Sequence, residues 1–390
     1  MGFKFFIIIF VLFQFLFSCK EAGVKVEKSS VCLTSNCLNT NSTKKNVGAD
    51  IYLGGNGNIH HFQLNFSNDQ VTDLGAYSLP AGGNVAWMEW DKTQQKVFAA
   101  NSGQPRLEVF SYNESTGNLS FDKGLLFGDR NTHLAIHKSN SKYNFFAASY
   151  GDSEVNFYSA PLDLSSNSFH QTIPFPNRSN THSNSFDPSR NLLFVANLAL
   201  NSINIYKLEG TTLSSVGDIT VVSPRIVLYD KTFDKLYLST ESRDSNPSYI
   251  KIYDIVQTGN QYSLSESGSF TMGTNGSDLK INHSRGFVSS LVREATSESL
   301  EIVPLNNLGL LDQSRSPHKI LIDEVRPRSL QITNDGTYYM VTPHSNGALK
   351  DLMIYKINYD SNQNIIDSNI IYEVVLPGSF QSNFLINRFD

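Results

Sequence analysis

Short apolar runs divided by polar turns fill the chain from residue 50 onward, and no stretch there keeps the spacing of a long amphipathic helix. Segment 223–241, SPRIVLYDKTFDKLYLSTE, shows the pattern most plainly. Residues 226–229 and 235–239 are continuous or alternating apolar runs, and the polar Asp/Lys/Thr/Asp hinge between them predicts strand, turn, strand. Arg225 stands at the entry to the first strand and Glu241 just past the second. On a lone hairpin both would be solvated loop charges.

The pattern recurs with a period of roughly 42 to 55 residues, the range of propeller blades. Its second strands align as VFAA (97–100), FFAA (145–148), LFVA (193–196), LYLS (236–239), GFVS (286–289) and YYMV (338–341). A partial copy opens at IYLG (51–54), with IHHFQLN as its next strand. Its missing first strand is supplied by the chain's end, SNFLIN (382–387). That pairing closes a ring and removes two sheet edges. The expectation is an all-β, seven-bladed β-propeller over 50–390; a β-sandwich pair is the alternative, which so regular a period opposes.

The N-terminus reads differently. A short basic start precedes an apolar run over residues 5–17, too short to span a bilayer comfortably but suited to a secretory signal. It ends in Leu16-Phe17-Ser18-Cys19, which resembles a lipobox with Cys19 as the lipidated residue; an ordinary signal peptide is the alternative. Residues 1–18 are therefore read as a lipoprotein signal and 19–49 as a flexible Ser/Thr/Asn/Lys-rich tether. In an exported, envelope-anchored protein Cys32 and Cys37 either close a small disulfide or remain unimportant thiols.

Composition agrees with β structure: 26 Phe, 17 Tyr and 25 Gly in 390 residues. A net charge of −5 argues against a nucleic-acid partner. No dinucleotide fingerprint, P-loop or nucleophile elbow is present, and neither cofactor nor metal is expected.

The repeats PRSLQITNDGTYYMV, NTHLAIHKSNSKYNFFAASYGDSEVNFY and HSNSFDPSRNLLFVANLALNSINIY resemble the lactonase family of seven-bladed propellers, which includes propeller-type 6-phosphogluconolactonases and the fungal carboxymuconate cycloisomerase. The resemblance covers 51–387. It implies four residues at the channel mouth: a His opening the strand before a D-P turn, here His182; an Arg after Pro at the next blade's start, Arg225; a Glu after that blade's second strand, Glu241; and an Arg after the following blade's second strand, Arg293. Departures are Asn197 where the family often has Asp, worn turns (KTFDK, HSRG), and Ser242-Arg243 after the Glu.

Lactone hydrolysis needs a base for water, an acid for the leaving alkoxide and positive charge for the oxyanion. The expected roles are Arg225 and Arg293 as anion and oxyanion binders, with His182 and Glu241 as the acid–base pair. Arg–Glu pairs bridging blades without chemistry are the structural alternative. Sugar-phosphate lactones are cytoplasmic, whereas this chain reads as exported, so the expected ligand is another acidic or cyclic small molecule. A non-catalytic envelope protein, using a propeller face for protein partners and lipid for the membrane, is the second reading. Among other histidines, alternation places one of His60 and His61 inward, and His133 reads as the blade-start equivalent of His182. His344 and Asp351 read as solvated loop residues.

Overall fold

The computed structural model describes residues 46–128, 130–242, 246–293, 298–322, 326–343, 350–376 and 380–389. Residues 1–45, with Cys19, Cys32 and Cys37, lie outside the described residues, as do His344 and Arg243; the expected tether ends earlier than residue 49, because the first strand begins at Asn46 and pairs there with the chain's end.

Among the described residues, twenty-eight strands form seven four-stranded antiparallel sheets. Blade 1 combines three strands of 46–78 with Phe380–Phe389; blades 2 to 7 occupy 85–126, 131–174, 181–220, 224–271, 276–321 and 327–374. The C-terminal strand pairs with Asn46–Gly55, setting Leu385 opposite Ile51. The ring is closed by the chain's end, as the missing first strand of the partial repeat required.

Each blade's second strand is sandwiched on both faces, which is why it reads as a continuous apolar run. Leu192–Asn197 and Phe287–Val292 are buried at every position. Outermost strands such as Gln261–Thr271 are mostly exposed or half-buried. The core is correspondingly divided into seven apolar clusters, each built from two neighbouring blades. Fully buried Phe98, Phe145 and Phe194 each contribute about 2–3 kcal/mol.

The worn turns keep the geometry that matters. Asp230 Oδ1 accepts the amides of Thr232 and Phe233, and Asp234 takes the left-handed conformation at φ 53°. In the HSRG turn Asn282 Oδ1 accepts the Arg285 amide and Gly286 takes φ 63°. An Asx cap and one left-handed residue suffice, so the D-P-D-G type is not required.

One feature repeats at the start of every innermost strand. The pairing slips between Val85 and Trp87, Asn131 and His133, Thr181 and Ser183, Pro224 and Ile226, Gly276 and Leu279, and Pro327 and Ser329. In blade 1 it slips where Gly54 and Gly55 meet Ser382 and Phe380. Each slip is a β-bulge, which releases one side chain from strict alternation and re-aims it.

Candidate active site

The residues passed over by these bulges in blades 2 to 7 are Ala86, Thr132, His182, Arg225, Ser277–Asp278 and Arg328. Most of them converge on a small cavity of about 30 Å³ lined by Trp87, Thr132, His133, His182, Arg225 and Arg328, among others. The mouth of the channel is therefore built from equivalent bulge positions on successive blades.

The backbone there is held from the side. Ser183 Oγ donates to Arg225 O at 2.7 Å and accepts the Val227 amide at 3.0 Å, tying blade 4 to blade 5. The residues following the second strands form a second ring. The Glu241 amide donates to Ser223 O at 2.8 Å and the Arg293 amide to Asn275 O at 3.1 Å. These bonds set Glu241 beside Arg225 and Arg293 at the matching place one blade on.

The side chains form a chain of charge. Arg225 Nη1 pairs with Glu241 Oε2, and Arg293 Nη2 pairs with Glu241 Oε1 at 2.8 Å. Arg225 and Glu241 are 6% and 4% exposed, so this is a buried network, and Arg225 Nε within it has no hydrogen-bond partner among the described residues. His182 lies against the edge of Tyr150, ring centroids 5.7 Å apart, and its buried Nδ1 is also unpartnered. Burial, then the charges of Arg225, Arg328 and Arg293, hold the His182 imidazole well below its ordinary pKa, so it is neutral at physiological pH.

All four residues implied by the family pattern thus meet at one mouth. Both Glu241 oxygens are engaged by guanidinium groups, an arrangement that orients the arginines. The neutral imidazole of His182 is the group with an acceptor to offer. Two further residues stand with them. Arg328 occupies the bulge position of blade 7, makes no ion pair with a described carboxylate, and is lowered to about 10 by burial and the Arg225 charge, with Glu241 opposing. Pro327-Arg328 repeats Pro224-Arg225 letter for letter, and that was the available signal. Tyr150 follows the second strand of blade 3, where Glu241 and Arg293 stand in blades 5 and 6; no sequence signal marked it.

The register corrects one expectation. Thr132, not His133, is the equivalent of His182, because each is the residue passed over by its strand's bulge, Thr132 between Asn131 and His133 and His182 between Thr181 and Ser183. His133 sits one step deeper, with its ring 4.0 Å from Trp87, and is lowered to about 3 by burial and by Lys280. Asp351 is not solvated: it is 1% exposed and accepts the Leu376 amide at 2.7 Å. His61 is the inward member of its pair, bonded to buried Asp50 at 3.0 Å, while His60 meets Asp73 at 2.7 Å. Among the described residues no group of three or more His, Cys, Asp or Glu is arranged to hold a metal.

The family pattern described as "Lactonase, 7-bladed beta-propeller" matches residues 41–363. The chain belongs to this lactonase family. No curated protein is a significant match to the sequence. Among solved structures, the Pseudomonas aeruginosa periplasmic gluconolactonase superposes with a TM-score of 0.71 at 13% identity, covering 87% of this chain and 99% of that one. A candidate 6-phosphogluconolactonase from Bacteroides fragilis gives 0.70 at 14% identity, covering 89% and 100%. A protein from Lactobacillus plantarum gives 0.66 at 13%, covering 87% and 100%. At such identities these likenesses show the lactonase propeller fold alone. Within that fold the mouth of this lactonase-family chain brings Arg225, Arg293 and Arg328 together with Glu241, Asp278 and the neutral imidazole of His182.

Proposed function

We propose that the channel mouth binds the acidic group of a small cyclic or acidic molecule and that the protein opens a lactone ring carried by it. The observation that carries this reading is the excess of guanidinium over carboxylate: Arg225, Arg293 and Arg328 stand with Glu241, whose oxygens two of them share, and with Asp278, whose oxygens accept the Leu279 and Leu330 amides. Such an excess favours an anion, and it favours an oxyanion that grows during reaction still more. Neutral His182 accepts a proton as water attacks the lactone carbonyl carbon. The ring C–O bond breaks, and the imidazolium returns the proton to the departing alkoxide, giving a hydroxy acid. Glu241 keeps two guanidinium groups in place throughout.

The test is hydrolysis of a panel of lactones, with and without acidic substituents, by wild type and Arg225→Ala. The variant is expected to lose about 10²–10³ in kcat/KM on whichever lactone is opened. If no lactone is hydrolysed and no small acid binds, the mouth is structural, and the propeller face as a protein-interaction surface takes its place.

The same protein is proposed to be exported and anchored through a lipid on Cys19, which rests on the apolar run over 5–17 and the Leu16-Phe17-Ser18-Cys19 sequence. Palmitate labelling is expected to vanish in Cys19→Ala; unchanged labelling would end this reading.

A further inference from the structure

Beyond the mouth, the inner strands of blades 2 to 6 enclose a larger chamber of about 310 Å³, within the size range of small-molecule sites. It shares Trp87, His133 and Ile226 with the mouth cavity, so the two spaces meet there. Leu228, Leu279 and Phe186 give it apolar wall, while Glu89, Asn184 and Lys280 give it polar groups.

Those polar groups are unevenly satisfied. Glu89 Oε1 accepts from Trp87 Nε1 at 2.7 Å, and burial raises its pKa towards the neutral acid. Asp278 has both oxygens occupied by the amides of Leu279 and Leu330, each at 2.8 Å. Lys280 Nζ lies 3.8 Å from Asp278 Oδ1 and 4.8 Å from the Trp87 ring centroid, too far from the carboxylate for a hydrogen bond. Its ammonium rests on that ion pair and the Trp87 face and donates no hydrogen bond to a described residue. Asn184 is 1% exposed; its Nδ2 donates to Phe146 O at 3.0 Å, yet its Oδ1 has no donor. A buried carbonyl oxygen left unpaired costs about 1–3 kcal/mol, which a wholly apolar filling would not relieve. Hydroxyl groups, which accept from Lys280 and donate to Asn184, answer both deficits without adding charge.

We propose that the molecule held at the mouth by its acid group is elongated, and that a hydroxylated arm of it lies in this chamber against Lys280 and Asn184. Lys280 reaches from the chamber towards Asp278 and Trp87, where the two spaces meet. The ligand class is thus an acid, or an acidic lactone, that carries a hydroxyl beyond its acid group. This assignment rests on the mouth binding an anion.

Calorimetric titration of the full chain with acetate, octanoate and ω-hydroxyoctanoate tests it. Wild type is expected to bind ω-hydroxyoctanoate about tenfold more tightly than octanoate, the effect of one or two well-made hydrogen bonds. Lys280→Met is expected to erase that gain while its acetate affinity, which reports an intact mouth, stays at the wild-type value; Lys280→Gln serves if the methionine variant does not fold. Equal affinity of the two long acids in wild type, or a gain undiminished without Lys280, overturns the proposal. Acetate binding that is absent, or that survives Arg225→Ala, sinks the mouth reading instead, so the two failures are told apart.

Discussion

Replacing Glu241 by glutamine removes one negative charge and almost no volume, which makes it the sharpest probe of the mouth. Glu241 is 4% exposed and is shared by Arg225 and Arg293, while Arg328 adds a third guanidinium whose ordinary pKa is already depressed to about 10. Removing one partner of a buried ion pair costs about 3–5 kcal/mol, because the remaining charge stays desolvated and uncompensated. Glutamine keeps one acceptor oxygen, so the lower end, about 3 kcal/mol, is expected. The same change removes the carboxylate that Arg225 and Arg293 share, and an anion then does what Glu241 did. Phosphate at about a hundred times its dissociation constant returns about 2.7 kcal/mol. Urea denaturation of wild type and Glu241→Gln, with and without phosphate, reads both numbers. A loss below about 1 kcal/mol, or phosphate stabilising the variant no more than wild type, would refute the reasoning.

Three further outcomes follow from the geometry. His133 is lowered to about 3, so the unfolded chain takes up a proton there that the folded chain refuses; this costs nothing above its unfolded value near 6.5, and stability falls as pH drops from there towards 3. His133→Gln is expected to flatten that limb in pH-dependent denaturation, and an unchanged limb would contradict it. Deleting 381–390 removes the strand that carries Phe384 and Ile386, 7% and 5% exposed, and is expected to cost well over about 4 kcal/mol, with an equally stable truncation arguing against closure. His182→Gln is expected to abolish lactone opening while leaving carboxylate binding within about twofold, because the imidazole is neutral and acts on the proton; parallel loss of both would recast it as an anion ligand.

The ring was legible in the sequence because a second strand buried on both faces must be apolar throughout, and LFVA or FFAA announces that without reference to its neighbours. His182, Arg225, Glu241 and Arg293 were legible only as a pattern across blades. Matching blade starts by residue type failed at His133, since the bulge position in that blade holds Thr132 and the histidine stands one residue later. Arg328 was visible as a second Pro-Arg, yet its significance depends on Glu241 being already shared by two other arginines, a fact of space and not of spacing. Asp351 was misread because a polar residue in a long loop looks solvated until its acceptor role for the Leu376 amide is seen.

The bulge at the head of each inner strand has a consequence for how such a protein can change. A side chain placed there belongs neither to the apolar seam on one flank of its blade nor to the seam on the other. Swapping Thr132, His182 or Arg225 among chemistries therefore leaves the hydrophobic joints between blades unaltered. The scaffold behaves like a ring of sockets: the mouth can be rewritten while the wheel that carries it keeps its shape, provided that the charges Glu241 shares with Arg225 and Arg293 are exchanged together.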